Sequence, residues 1–431
     1  MCGIFALLIS NDSKKINYQD IEPYFLYGKK RGPEYSKLQE INNNIYFGFH
    51  RLAINGLDEI SHQPIIQEKL SLICNGEIYN YKELFQNLNL SPKTNSDCEI
   101  ILQTYKILGP HCFNLLDGVF ACILYDSVKN EIIIARDPYG VRPLYICYYE
   151  NNNIGFSSDL QPLLFDKNIK TIKTFNPGSY AILQNNKIIL QEKYFFNISY
   201  LPLEYEYPIE YYMYRTVEYL KKAIYKRVQN CEREIACLLS GGLDSSIISA
   251  YVSRFYKEKT SKQIETYSIG LNGAEDLKYA NQVSNHINSI HKNVIVSNEY
   301  FLESIPNVIK DIESYDTTSV RASVGNWNIG KYILNHSKAK VIFNGDGADE
   351  LMGGYMYFHC APNDEEFHNE NLRLLKDISH FDVLRSDKSI SSHGLEPRTP
   401  FLDKEFTKFY LSIPLKYRNH NNLQQGEKYL I

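Results

Sequence analysis

Leu239-Ser240-Gly241-Gly242-Leu243-Asp244-Ser245-Ser246 sits between two apolar segments of different period. Ile235-Ala236-Cys237-Leu238-Leu239 is short and continuous, as a buried strand is. Ile247, Ile248, Tyr251, Val252 and Phe255 follow at the spacing of one helix face. A strand, a glycine turn and a helix N-terminus aim backbone N–H groups and the positive end of a helix dipole at an anion. The Lys of a Walker A loop is missing, so the turn is not of that type. Asp244 would repel a polyphosphate unless Mg²⁺ lay between them, which makes it a candidate metal ligand. Further on, Val341-Ile342-Phe343 feeds Asn344-Gly345-Asp346-Gly347-Ala348-Asp349-Glu350. A strand running into two glycines and three carboxylates points to close backbone approach with metal or general-base chemistry.

A second constellation opens the chain. Cys2 precedes the apolar run Gly3-Ile4-Phe5-Ala6-Leu7-Leu8. With Met1 removed, the freed α-amine, of reference pKa ~8, is a built-in base for the thiol of the same residue. Taken singly, the partners downstream have plain explanations. Arg51 reads as a solvated or salt-bridged arginine, Asn75-Gly76 as a hairpin turn and Asp97 as a cap for the helix beginning near Glu99. Together they supply what glutamine hydrolysis needs. Arg51 can grip an α-carboxylate bidentately, while Glu77 and Asp97 can receive an α-ammonium. The Asn75 amide and the Gly76 N–H can form an oxyanion hole.

The elements that must position these groups follow from period and punctuation. Gly118–Tyr125 and 132–135 read as short strands in the first half. In the second, helix 211–229 leads into the strand before the glycine loop. Strand 266–271, helix 276–287 and strand 292–297 then alternate, which predicts a parallel sheet with helices on both faces. Ligands of such sheets bind at the carboxyl ends of the strands, so the 240–246 loop, Ile269 and the 344–350 loop are expected on one rim. Residues 193–214 lose regular period and read as a surface linker, with a domain boundary near 205. At 431 residues the chain is long enough for two or three domains. A net charge of −4 from 46 basic and 50 acidic residues gives no argument for nucleic acid or membrane as partner. The nine cysteines show no C-x-x-C pair or metal spacing, the pattern of reduced thiols in a cytoplasmic enzyme.

The N-terminal set, with Arg31-Gly32-Pro33 and Ala135-Arg136-Asp137-Pro138-Tyr139-Gly140-Val141-Arg142-Pro143-Leu144-Tyr145, resembles the class II, N-terminal-nucleophile glutamine amidotransferases. The two C-terminal loops, with Glu313–Ser323, Tyr357–Pro362, Leu384–Ser389 and Gly394–Asp403, resemble the glutamine-hydrolysing asparagine synthetases, and the likeness runs over essentially the whole chain. The fold implied is an αββα Ntn-hydrolase sandwich in residues 1–205, followed by a doubly wound parallel-sheet ATP pyrophosphatase-type domain in 206–431. The implied chemistry is glutamine hydrolysis at Cys2, attack of aspartate on ATP to give β-aspartyl-AMP and pyrophosphate, and displacement of AMP by channelled ammonia. Arg51, Leu52, Ala53, Ile54, Asn55, Asn75, Gly76, Glu77 and Asp97 would bind glutamine. Leu239, Ser240, Gly241, Gly242, Asp244, Ser245, Ile269, Asn344 and Gly345 would hold ATP, with Mg²⁺ on Asp244 and Asp349. Lys388 would neutralise charge on the phosphates, and Arg321 is a candidate for the aspartate carboxylate. A homodimer is compatible with the resemblance.

Two features depart from the family. Asp346 stands where the family has Glu, and one methylene less withdraws the carboxylate by over an ångström, a misplacement that can cost ~10²-fold in rate. Gly426–Ile431 matches the start of a helix that continues in relatives, so a C-terminally shortened synthetase domain is expected. These departures set two alternatives beside asparagine synthesis: a non-catalytic or glutaminase-only relic, and an amide ligase acting on another carboxylate.

Overall fold

The computed structural model describes residues 1–11, 13, 16–184, 187–199 and 205–431. The chain divides into two units, Met1–Asn197 with Ser391–Leu395, and Ile198–Ile390 with Glu396–Ile431. The expected linker falls partly on residues 200–204, which lie outside the described residues.

Among the described residues the first unit contains twelve strands: β1 (Gly3–Leu8), β2 (Tyr35–Asn42), β3 (Ile45–Arg51), β4 (Ile65–Gln67), β5 (Leu70–Ile78), β6 (Gly118–Asp126), β7 (Glu131–Arg136), β8 (Tyr145–Tyr149), β9 (Ile154–Ser157), β10 (Ile169–Thr174), β11 (Ser179–Gln184) and β12 (Lys187–Tyr194). They form two six-stranded antiparallel sheets, in the orders β10-β8-β9-β1-β3-β2 and β12-β11-β7-β6-β5-β4. Side chains alternate across each strand, so every strand serves two layers. Ile4, Ala6 and Leu8 of β1 meet Ile73, Ala121 and Ile123 of the other sheet in the central layer. Phe5 and Leu7 point outward against Ile21 and Phe25 of helix Tyr18–Phe25. On the far side, Leu72, Cys74 and Phe120 pack under Ile100, Ile101 and Tyr105 of helix Glu99–Leu108. This is the αββα sandwich expected.

Asn75-Gly76 is not a hairpin turn. Both residues lie inside β5, in register with Ala121 and Phe120 of β6. Asp97 does not cap the following helix either: its carboxylate accepts the backbone N–H of Ile78 at 2.7 Å. A local signal for a turn or cap loses here to a pairing set by the sheet.

In the second unit β13 (Ile235–Leu238), β14 (Glu265–Leu271), β15 (Ile290–Val296), β16 (Val341–Phe343) and β17 (Glu396–Arg398) form a parallel sheet ordered β15-β14-β13-β16-β17. The order runs outward in one direction from β13 to β15 and in the other from β16 to β17. The reversal between β13 and β16 is the switch point at which doubly wound sheets open a crevice. Helix Leu243–Thr260 follows β13 and buries Ile248, Ser249, Val252, Ser253 and Tyr256. Its buried stripe therefore includes serines that the apolar spacing alone does not mark. Leu384–Ser389 lies in helix Asp382–Ser391, and Thr317–Ser323 opens helix Thr317–His336. Among the described residues no helix is long and apolar enough to cross a membrane.

Candidate functional site

The first unit gathers its polar candidates at the end of β1. Alternation along β1 puts Cys2 on the same side as Ile4 and Ala6, and it packs against the central layer. Its thiol donates to the carbonyl of Leu52 at 3.5 Å. Arg31, 2 % exposed, donates from Nε to the Cys2 carbonyl at 3.0 Å and pairs with Asp159 at 3.3 Å. Arg51 is buried, and its two terminal nitrogens donate to the carbonyls of Asp58, at 2.8 Å, and Gly56. It thus anchors the loop that carries Leu52 to Asn55, and a bidentate grip on a carboxylate would use its remaining N–H groups. Asn55 donates to Glu77 at 2.5 Å, and the Ala53 N–H reaches Glu34 at 2.7 Å. Ile54 is buried beside them in sequence.

Asn75 differs from all of these. It is fully buried on the Ile73 face of β5, and among the described residues neither its Oδ1 nor its Nδ2 has a hydrogen-bond partner. A buried amide left unmade costs about 1–3 kcal/mol, so a structure keeps one only where something else meets it. Asp137, in the Arg136–Tyr145 motif, contrasts with it: the amides of Phe120, Tyr139, Val141 and Arg142 all donate to its carboxylate. That motif is scaffold.

In the second unit a cleft of about 230 Å³ opens at the carboxyl ends of β13 and β16. Ser240, Gly242, Asp244 and Ser245 line it from one loop, Asn344, Gly345, Asp346 and Asp349 from the other. Leu239, Gly241, Ile269 and Lys388 lie outside that lining. Leu239 is buried and its N–H donates to the Tyr267 carbonyl at 2.8 Å. Gly241 has φ +87°, and a Cβ there would lie 2.5 Å from the Ala280 nitrogen, so glycine is required for the turn to pass helix Glu275–His286. The loop is held by its own hydroxyls, with Ser240 Oγ and Ser245 Oγ 2.9 Å apart and the Gly242 N–H donating to Ser240 at 3.3 Å.

The carboxylates of the cleft are crowded. Burial and the neighbouring Asp382 push Asp346 up to about 7 against the opposing pull of Arg385, 3.8 Å away. Burial and Asp382 likewise push Glu350 up to about 8, against a hydrogen bond from Tyr355. Asn344 donates to Asp346 at 2.6 Å and to Ser386 at 2.8 Å. Lys388 is not a surface lysine: it is buried on its helix and ion-paired with Glu313. Arg321 is exposed on helix Thr317–His336.

Lys428, which no sequence motif singled out, bridges the two candidate metal ligands. Its ammonium pairs with Asp244 and lies 2.6 Å from Asp349 Oδ1. Burial would lower its pKa, but the two carboxylates carry it above the ordinary lysine value. Three observations fit a divalent cation on this pair. The lysine ammonium already stands where positive charge is wanted, and Asp244 Oδ1 is buried without a partner among the described residues. The donor set is also two hard carboxylate oxygens, which Mg²⁺ accepts when substrate phosphates complete its shell. No group of three or more potential metal-binding side chains occurs among the described residues, so the phosphates would have to contribute. Asp382 and Arg385 were also missed, although their i, i+3 spacing signals the pair that the structure shows.

A glutamine amidotransferase domain family matches residues 1–219, and an asparagine synthase family matches residues 216–365 and 361–431. The asparagine synthetase (glutamine-hydrolyzing) of Gallus gallus is 37% identical over 459 residues, covering 100% of this chain and 80% of its own length. That of Rattus norvegicus is 39% identical over 444 residues, covering 97% and 78%. That of Homo sapiens is 37% identical over 448 residues, covering 98% and 79%.

Proposed function

The chain belongs to the glutamine-hydrolysing asparagine synthetase family of carbon–nitrogen ligases, and we propose that it converts ATP, aspartate, glutamine and water to AMP, pyrophosphate, asparagine and glutamate. Residues 1–205 act as the glutaminase and 206–431 as the synthetase. Once Met1 is removed, the Cys2 amine takes the thiol proton and Sγ attacks the glutamine carboxamide carbon. The Asn75 amide and the Gly76 N–H stabilise the oxyanion as ammonia leaves, and water then releases glutamate from the thioester. Glu77 and Asp97 receive the substrate ammonium, and Arg51 holds the loop of Leu52 to Asn55 that borders the thiol.

In the second half the aspartate β-carboxylate attacks the α-phosphorus of ATP, pyrophosphate leaves, and ammonia displaces AMP from β-aspartyl-AMP. Ser240, Gly241, Gly242 and Ser245 cradle the phosphates, with Leu239, Ile269, Asn344 and Gly345 on the adenosine side. Asp244 and Asp349 would hold Mg²⁺, which when bound offsets the charge of the pyrophosphate leaving group. Asp346, poised near neutrality, is the carboxylate at the reacting end. Lys388 reaches the phosphates only if it gives up Glu313. We extend the same reading to a cytoplasmic homodimer, which sedimentation velocity of the purified chain tests.

One observation carries the synthetase assignment. Two loops remote in sequence, 240–246 and 344–350, line one cleft at the switch point of a parallel sheet. Aspartate-dependent ATP–pyrophosphate exchange on the purified chain is the test. Exchange that requires aspartate is expected. Exchange with another carboxylate instead would identify a related amide ligase, and no exchange with glutaminase intact would overturn the synthetase assignment.

A further inference from the structure

Lys428 is joined to the nucleotide cleft by more than an ion pair. Its backbone has φ +60°, a left-handed conformation that non-glycine residues seldom adopt and that clusters where a side chain must be aimed. Gly354, after the acidic loop, gives the room: a Cβ there would run into Asp349 Oδ1 and Lys428 Cε. The side chain is 9 % exposed, so the lysine is more deeply buried than either carboxylate it pairs with. The segment around it is tied down independently, with His359 holding Asn421 at 3.0 Å and Glu427 at 2.5 Å.

We propose that Lys428 is a positioning residue that acts as a built-in counter-cation, holding Asp244 and Asp349 together before nucleotide arrives and competing with the divalent cation for them. Two carboxylates converging on one point repel each other unless a positive charge lies between them. A tethered ammonium meets that need at no entropic cost of capture, yet carries half the charge of a divalent ion and offers no coordination sites. Lys428 therefore weakens cation binding to the free chain, and the cation enters most favourably together with nucleotide phosphates, which give the displaced ammonium a new partner. This rests on reading Asp244 and Asp349 as the cation ligands.

The test is Mn²⁺ binding to the nucleotide-free full chain, followed by the electron-paramagnetic-resonance signal of free Mn²⁺. Lys428→Met is expected to bind Mn²⁺ at least tenfold more tightly than the unaltered chain, and Lys428→Arg within about twofold of it. Asp349→Asn should abolish the gain. Unchanged affinity in Lys428→Met, with binding lost in Asp349→Asn, overturns the competition and leaves the cation site standing. Binding indifferent to both Asp244→Asn and Asp349→Asn overturns the cation reading and the competition with it. Hydrogen exchange on the unaltered chain does not depend on the variants folding. Saturating Mn²⁺ should accelerate exchange of the backbone amides around Lys428, and unchanged exchange overturns displacement of the lysine.

Discussion

The two halves handle charge in opposite ways. Around Cys2 charged side chains are engaged with neutral backbone groups, Arg51 on the Gly56 and Asp58 carbonyls, Asp97 on the Ile78 amide and Arg31 on the Cys2 carbonyl, with the Arg31–Asp159 ion pair beside them. The Asn75 amide, which has no partner there among the described residues, is neutral. In the cleft of the second half the charged side chains engage one another, Lys428 with Asp244 and Asp349 and Arg385 with Asp382 and Asp346, and outside its lining Lys388 pairs with Glu313. The first site is preorganised, since nothing in it has to break for a carbonyl oxygen to be met. On the proposed function the second exchanges internal ion pairs for contacts with a polyanion and its cation. Electrostatic preorganisation suits the fixed geometry of an oxyanion, whereas a highly charged ligand needs a site that can be neutral in its absence.

Cys2→Ala gives the largest separation of the halves. Glutamine-dependent synthesis should fall at least ~10³-fold, while synthesis from added ammonium stays unchanged. Equal loss from both nitrogen sources would break the division of labour.

Asn75→Ala should lower glutaminase kcat by ~10²–10³-fold, the cost of one oxyanion donor. Because the amide has no partner to lose, thermal stability should hardly change. A variant that loses stability and keeps kcat would show that Asn75 is structural after all.

Asp403→Asn probes a charge cluster of the second half away from the cleft. Arg227 at 2.6 Å and Lys226 at 2.5 Å oppose the effect of burial and hold Asp403 down to about 2. Asparagine can still cap helix Lys404–Ser412, so the variant isolates the charge. Breaking such a buried pair should cost ~3–5 kcal/mol in urea unfolding near neutral pH. The folded pKa is depressed, so this stabilisation is present above the ordinary carboxylate range and is lost as pH falls through about 2. Variant and parent should therefore converge in acid, and a pH-independent difference would contradict the charge assignment.

His359→Gln is the smallest expected effect. Glu427 and Asn421 raise the His359 pKa, so its contribution is fully present below the ordinary histidine value and disappears as pH rises through the raised one. Melting temperatures of variant and parent should differ slightly at pH 5.5 and coincide at pH 9. A difference that grows with pH would have the wrong sign for this pair.

The alternation of strand and helix after Ile235, the strand–turn–helix around Asp244 and the acidic turn after Phe343 were all legible in the residues. Each depends on local requirements: period, glycine at a tight turn, apolar runs of strand length. The same local logic misread Asn75-Gly76 as a turn and Asp97 as a cap. Those two positions were decided by β6 beside β5 and by a backbone amide nineteen residues back. Local propensity is weak against a full ladder of sheet hydrogen bonds.

The sequence by itself determined which chemical groups the protein has and the two types of layer that carry them, because side-chain period and backbone conformation are set by near neighbours. Only the tertiary structure decided how those groups are charged and paired. Lys428 meets Asp244 across 184 residues of chain, and Glu313 meets Lys388 across 75. Nothing in the spelling of a lysine tells which carboxylate it will neutralise. Coulomb energy depends on separation in space and on burial, and both are fixed only when the chain has folded.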